Sequence, residues 1–303
     1  MEFVNAVEGI NLKKKFKGFE LDIPKLNIPQ GFATALIGEN GAGKTTLLNM
    51  LAGIRLDYKG NFRFFDKFDD KDRETNPEVK EKIGYTGTGN YYLPSWTISQ
   101  VSEVTKLLFE SFREEEFDRI CSELDILNSD NFSKKSKKVS TLSDGNVMKL
   151  MLAGAFARDT KLLVLDEPAS PLDPLMREKL CQMIREYISD GNGEKSVFFS
   201  THNISDMEYV TDYAIIMEHG HVVEEGFVDD LKEKYILVKG EKKDEEAARE
   251  ILYTVTTNPY GFEGIVLASD IDKLAGMDVT TERASLFQIS VAILKKTSKI
   301  KIN

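Results

Sequence analysis

The sequence predicts an α/β protein with a mainly parallel sheet core covered by helices, an N-terminal antiparallel β region, a helical subdomain and a small C-terminal α/β extension. Three observations predict it. A glycine-rich stretch, GENGAGKTT (residues 38–46), stands between an apolar β-type run and a helix pattern. A second apolar run, KLLVLDEP (161–168), stops at two adjacent carboxylates. Strand and helix patterns then alternate through residues 158–226, which calls for crossover connections between parallel strands.

Residues 1 to about 85 read as a strand-rich edge followed by the start of the core: ELDIPKLNI, ATALIG and NFRFF are broken by turns such as KG and PQG. GENGAGKTT matches G-x-x-x-x-G-K-S/T through Gly38, Gly43, Lys44 and Thr45. It follows the strand FATALI and opens the helix LLNMLAG, the context the pattern needs. The chemistry follows from that placement. Backbone N–H groups of Gly38, Glu39, Asn40, Gly41, Ala42, Gly43, Lys44, Thr45 and Thr46 surround a phosphate site at a helix N-terminus, Lys44 reaches the outer phosphates, and the Thr45 hydroxyl can ligate Mg²⁺.

From about 89 to 157 helix patterns dominate, in ISQVSEVTKLLFESF, EEEFDRICSELDI and NVMKLMLAGAFARD. The last is entered through LSDGN, whose Ser, Asp and Asn suit a helix start. KKSKK (134–138) reads as a solvated loop. After it, KLLVLD, PLMREKLCQMIREYI, SVFFS, ISDMEYVT and AIIME alternate strand with helix. A strand with no polar residue is expected to be buried on both faces, and open α/β sheets place ligands at the C-terminal ends of such strands. Asp166 is thus placed for a magnesium shell, and Glu167, one step further, for polarising an attacking water. EHGHVVEEG, with His219 and His221, reads as a hairpin turn.

After FVDDLKEKY the character shifts. ILVKGEKKDEEAAREILYT gives a strand, a charged turn and a helix; GFEGIVLASDIDKLAG repeats that scheme; ASLFQISVAILKK ends the chain's regular patterns as a helix with a basic last turn. The chain has 303 residues, 41% of them hydrophobic, enough for one large core and a smaller one. The formal charge of −10 disfavours the nucleic-acid backbone as main partner. Cys121 and Cys181 form no CxxC pair, which fits a reducing, cytosolic setting. No run approaches the length of a membrane span, and the opening MEFVNAVEGINLKKK lacks the apolar core of a signal peptide, so another chain is expected to cross any membrane this one serves.

With both motifs in view, residues 1 to about 230 resemble the ATP-binding subunit of an ABC transporter, a P-loop NTPase. Further elements stand in that family's order. Phe16, in LKKKFKGF, lies where the family keeps an aromatic that stacks on adenine, with Phe19 as a competitor. LSDGN stands at the signature, usually LSGGQ; ASPLD, ending in Asp173, at the D-loop; and VFFSTHN carries His202 where the family has its switch histidine. IGYTGTGNYYLPSWT (83–97) lies where a strand leads into the Q-loop.

The resemblance implies a cassette over residues 1–230, with its helical subdomain at about 89–157, and an extension over 231–303. It implies an ATPase that uses ATP and Mg²⁺, with Lys44, Glu167 and His202 at the chemistry, and that powers transport through a separately encoded membrane permease from the cytoplasmic face. It also implies a head-to-tail homodimer in which Ser143 and Gly145 of one copy meet the nucleotide of the other. The tail resembles the extension of exporter-type subunits, although ASLFQ lacks the acids of their PTLED-like sequence. Two departures stand out: Thr88 replaces the glutamine that contacts Mg²⁺, with Asn90 close by, and Asp144 replaces a signature glycine. The alternatives are a soluble ABC-type mechanical ATPase acting on nucleic acid or ribosomes, which such a chain without a second cassette or heptads suits poorly, and a weakly hydrolysing nucleotide sensor.

Overall fold

The computed structural model describes residues 4–87, 91–126 and 136–297. At the N-terminal end β1 (Asn5–Phe16) and β2 (Phe19–Pro29) form a hairpin about Gly18, and β4 (Lys59–Phe64) and β5 (Phe68–Asp69) extend it into an antiparallel sheet of order β2-β1-β4-β5. Apolar residues repeating at every second position in the later half of β2, and Phe62 and Phe64 in β4, turn one face inward, as a half-buried sheet requires.

The central sheet joins β3 (Ala33–Ile37), β6 (Ile83–Thr86), β7 (Leu162–Leu165), β8 (Ser196–Thr201), β9 (Tyr213–Glu218) and β10 (His221–Phe227) in the order β10-β9-β3-β8-β7-β6. All its pairings are parallel except that of β9 with β10. Every residue of β3, β7, β8 and β9 is buried. Because side chains alternate across a strand, these strands feed two cores. Leu36, Leu162, Val164 and Phe198 pack toward the antiparallel sheet and α1 (Lys44–Leu51). Ala35, Leu163, Leu165 and Phe199 pack toward the helices on the other side.

Those helices are α4 (Ile98–Leu108), α5 (Glu114–Glu123), α6 (Asp144–Phe156) and α7 (Pro174–Ser189). Each start has a local cause. Thr97 and Gln100 form a capping box for α4, Ser143 caps α6 through the N–H of Asn146, and Asp173 caps α7 with Pro174 in its first turn. Two short helices, α2 (Asp70–Thr75) and α3 (Pro77–Lys82), sit between β5 and β6, where the sequence reading named none.

ISDMEYVT is a correction. It forms two 3-10 turns, Ile204–Asp206 and Glu208–Val210, because Met207 between them takes a non-helical conformation and the Asn203 side chain is committed to Asp206. Beyond α8 (Val228–Lys234) the tail contains β11 (Tyr235–Glu241), α9 (Glu245–Arg249), β12 (Thr254–Asn258), β13 (Gly261–Leu267), β14 (Val279–Arg283) and α10 (Leu286–Thr297). Its strands form an antiparallel sheet, β12-β13-β11-β14. The second expected helix, in ASDIDKLAG, is 3-10 (Ala268–Leu274). One face of this sheet holds a small core with Val238, Phe262 and Val266, while Leu237, Ile265 and α10 join the larger core. Glu208 fastens the junction, accepting the N–H of Leu286 at 2.9 Å and pairing with Lys232 at 3.0 Å.

Candidate nucleotide-binding site

The loop from Gly38 to Gly43 leaves the buried end of β3 and turns at once into α1, so its curvature is concentrated in few residues. Gly43 caps α1 at φ +105°, a left-handed conformation that favours glycine. Lys44, only 6% exposed, folds back over the loop: its Nζ donates to the carbonyls of Gly38 (2.7 Å) and Glu39 (3.3 Å) and lies 3.3 Å from Glu167 Oε1.

Glu167 follows β7 in a left-handed conformation, φ +49°, unusual for a side chain of its size. Three contacts hold it there. Its N–H donates to Ser200 Oγ (2.9 Å), one carboxylate oxygen faces Lys44, and the other lies 2.8 Å from His202 Nδ1. Ser200 in turn donates to Asp166 Oδ1 at 2.5 Å, and the Asp166 N–H donates to Thr86 O, so the wholly buried Asp166 lies beneath the cleft with its direction fixed. Adjacent ends of β3, β7 and β8 thus bring a cation, two carboxylates and an imidazole together.

The cation, the imidazole and one of the carboxylates, that of Glu167, line a cleft of about 960 Å³, while Asp166 is wholly buried and is not part of its lining. Phe16, Glu39, Asn40, Gly41, Gly43, Lys44, Thr45, Thr46, Glu167 and His202 all line it, as does Phe19. Phe16 stands at one side, half-buried, its ring flanked by Lys14 (5.3 Å) and Arg55 (5.1 Å) and 6.1 Å from that of Phe19. Gly38 and Ala42 shape the loop from within: the Ala42 side chain is buried in the core, and its N–H donates to Glu39 O. Thr88 and Asn90 lie outside the described residues.

Ser143 and Gly145 open on a different recess, shared with Pro171 and Asp173. Asp144 lines both that recess and the phosphate cleft, the latter together with Val147, Met148 and Met151 of α6. Of the LSDGN residues, Ser143 and Gly145 line the recess alone, whereas the substituted position, Asp144, borders the phosphate cleft as well. Ser200 was missed by sequence reasoning; its one signal was a hydroxyl near the end of β8, two residues before His202.

A second groove lies further along the same face of α6, sharing Met151 with the cleft and lined by Leu56, Arg73, Tyr85, Tyr91, Tyr92, Trp96, Leu108 and Arg158 among others. Burial pushes the phenols of Tyr85 and Tyr92 well up and the Arg158 guanidinium down to about 10. Tyr85 donates to Asn49 Oδ1 of α1 (2.7 Å) and stands 3.1 Å from the Tyr91 hydroxyl, which ties the groove to the helix of the phosphate loop.

A protein-family model described as ABC transporter matches residues 21–170. An uncharacterised ABC transporter ATP-binding protein of Nostoc sp. strain PCC 7120 is 30% identical over 259 residues, covering 83% of this chain and 74% of that one. The energy-coupling factor transporter ATP-binding protein EcfA2 of Lactococcus lactis subsp. cremoris is 30% identical over 233 residues, 73% of this chain and 75% of that one. Among solved structures, a dimeric post-hydrolysis state of the ATP-binding cassette MJ0796 bound to ADP and Pi aligns with a TM-score of 0.60 at 21% identity, over 73% of this chain and 98% of that one, a likeness of fold.

Proposed function

Because the chain belongs to the family of ABC transporter ATP-binding proteins and is an ATPase of that kind, we propose that it hydrolyses Mg·ATP in this cleft to drive export through a separately encoded membrane permease. The observation that carries the reading is the placement of Glu167 between Lys44 (3.3 Å) and His202 (2.8 Å) at the mouth of the phosphate loop.

Each residue then has a task. Loop N–H groups and Lys44 hold the phosphates, Phe16 stacks on the base, and Glu167 takes the proton of the attacking water while His202 keeps its carboxylate turned to the cleft. Thr45 and the buried Asp166 offer a hydroxyl and a carboxylate, oxygen donors that suit Mg²⁺, which binds through one or two carboxylates plus substrate phosphates. When bound, that ion supplies neutralisation of phosphate charge. Thr88 is the third residue proposed for it.

In this reading residues 1–230 are the cassette and 231–303 an appended unit. Two copies meet head to tail, each giving Ser143 and Gly145 to the nucleotide of the other. That these two line the adjoining recess and not the phosphate cleft supports the arrangement. No helix among the described residues is long and apolar enough to cross a membrane; in this reading the permease is a separate chain and this one sits on its inner face. The groove beside Tyr91 and Leu108, both exposed, is the surface offered to it. The export direction rests on the likeness of the tail to exporter-type extensions.

The test is Mg-dependent phosphate release by the purified chain. Glu167→Gln should keep ATP affinity and lose turnover by about 10²- to 10⁴-fold, whereas Lys44→Ala should lose binding. Near-normal turnover in Glu167→Gln would place the base elsewhere.

A further inference from the structure

Two segments that carry no chemistry grip the phosphate loop from outside. One is the start of β2. The ring of Phe19 lies so close to Gly43 that a Cβ on that glycine would stand 2.9 Å from Phe19 Cζ, with Leu21 Cδ1 at 3.5 Å and Met217 Cε at 3.6 Å. The other is the turn between β9 and β10, where the Gly220 N–H donates to Ala42 O at 3.0 Å. These two segments are also bonded to each other: the Asp22 N–H donates to Gly220 O (2.9 Å), and His221 Nδ1 lies 3.0 Å from Asp22 O. Ala42 and Gly43 are therefore held on both sides by one connected brace.

A loop that binds phosphate through backbone N–H groups works only while those groups stay aimed, and glycine cannot keep a loop aimed by itself. Gly43, left-handed and next to Lys44, needs an external stop. We propose that Phe19 is a positioning residue for the phosphate loop, its ring tip fixing Gly43 so that the N–H groups at the start of α1 face the cleft. The proposal rests on the nucleotide-binding reading above and gives Phe19 a task different from that of Phe16. Phe16 stands among cations at the side of the cleft; Phe19 lines the cleft as well, but its ring packs against the core and meets Gly43.

The two tasks separate when the base is removed from the ligand. Calorimetric titration of the full chain with ATP and with inorganic tripolyphosphate compares them. Phe19→Leu, which keeps an apolar side chain but loses the ring tip, should weaken both ligands by the same factor, roughly five- to tenfold. Phe16→Leu should weaken ATP alone. Phe19→Met, long enough to reach Gly43, should recover most of the loss for both. Phe19→Tyr adds an oxygen at the atom that meets Gly43 while keeping the ring; it should weaken both ligands again, and it decides the matter if Phe19→Leu does not fold. Loss of ATP affinity with tripolyphosphate unchanged would make Phe19 a second base platform and overturn the proposal, as would no change in either. An unmodified chain that binds neither ligand would instead overturn the nucleotide-binding reading.

Discussion

Ser200 joins the two acidic residues of the site through one oxygen, accepting from the Glu167 backbone N–H and donating to the Asp166 carboxylate. Removing that hydroxyl leaves a buried donor and a buried acceptor short of a partner, a cost of about 1–3 kcal/mol, and frees the left-handed turn at Glu167. Ser200→Ala should therefore lower the thermal midpoint and cut turnover by roughly ten- to a hundredfold with ATP affinity less affected, as steady-state kinetics beside a melting curve would read. Glu225 makes a prediction in pH. Burial, opposed by Lys25 and reinforced by Glu224, raises its carboxyl above the ordinary range, and its Oε2 is buried without a hydrogen-bond partner. The folded state thus holds that proton more tightly than the unfolded chain. The stability this contributes is present in full below the unfolded pKa and is lost as pH rises through the folded one. Glu225→Gln should stabilise the protein at pH 7.5, by no more than about 1 kcal/mol since the residue is half-exposed, and the difference should vanish near pH 4 in parallel denaturant titrations. Lys44, Asp166 and Glu167 were legible because each belongs to a short local pattern whose geometry implies its chemistry. Ser200 was not, because its value lies in touching two residues on another strand.

At the scale of elements, the central strands could be read because burial on both faces leaves no polar residue in β7 and almost none in β3. The misread parts fail for physical reasons. ISDMEYVT has helix-like spacing, but the local bond from Asn203 to Asp206 and the tertiary bond from Leu286 to Glu208 hold it as separate turns. β12 and β14 are short and half to fully exposed, so they carry little alternation to detect. The β9–β10 turn joined the phosphate loop without any sequence signal, since the two are separated by most of the cassette. Gly220 tests that junction. It sits at φ +86°, and a Cβ there would stand 2.0 Å from Glu20 O. Gly220→Ala must shift the turn and with it the bond to Ala42, at a cost of about 1–3 kcal/mol. Thermal unfolding and nucleotide titration should both register the change; an unaltered affinity would mean that the loop keeps its shape without the turn.

At the scale of the whole molecule, the placing of Ser143 and Gly145 in a recess that adjoins the phosphate cleft, and not in the cleft itself, predicts that ATP joins two copies. Light scattering of Glu167→Gln with ATP should report a dimer. Adding Ser143→Ala should weaken dimerisation while leaving ATP affinity of the monomer intact, with folding stability lowered by about 1 kcal/mol through the lost helix cap. Gly145 is a less clean target, because a Cβ there already meets Pro171 O of the same chain at 2.7 Å. The order of the central sheet reaches further, into the making of the chain. β3 carries the phosphate loop, yet both of its neighbours, β8 and β9, come much later, and the bond from Gly31 to Ser196 beside it spans 165 residues. At about 5–20 residues per second on the ribosome, β3 emerges on the order of ten seconds before either edge can be covered. During that interval an apolar strand is bare on both sides, and the Lys44 side of the site has neither Asp166 nor Glu167 opposite it. Nascent chains should therefore depend on a holding chaperone and stay blind to ATP until synthesis has passed β9, so a cell cannot assemble a prematurely firing motor from unfinished copies.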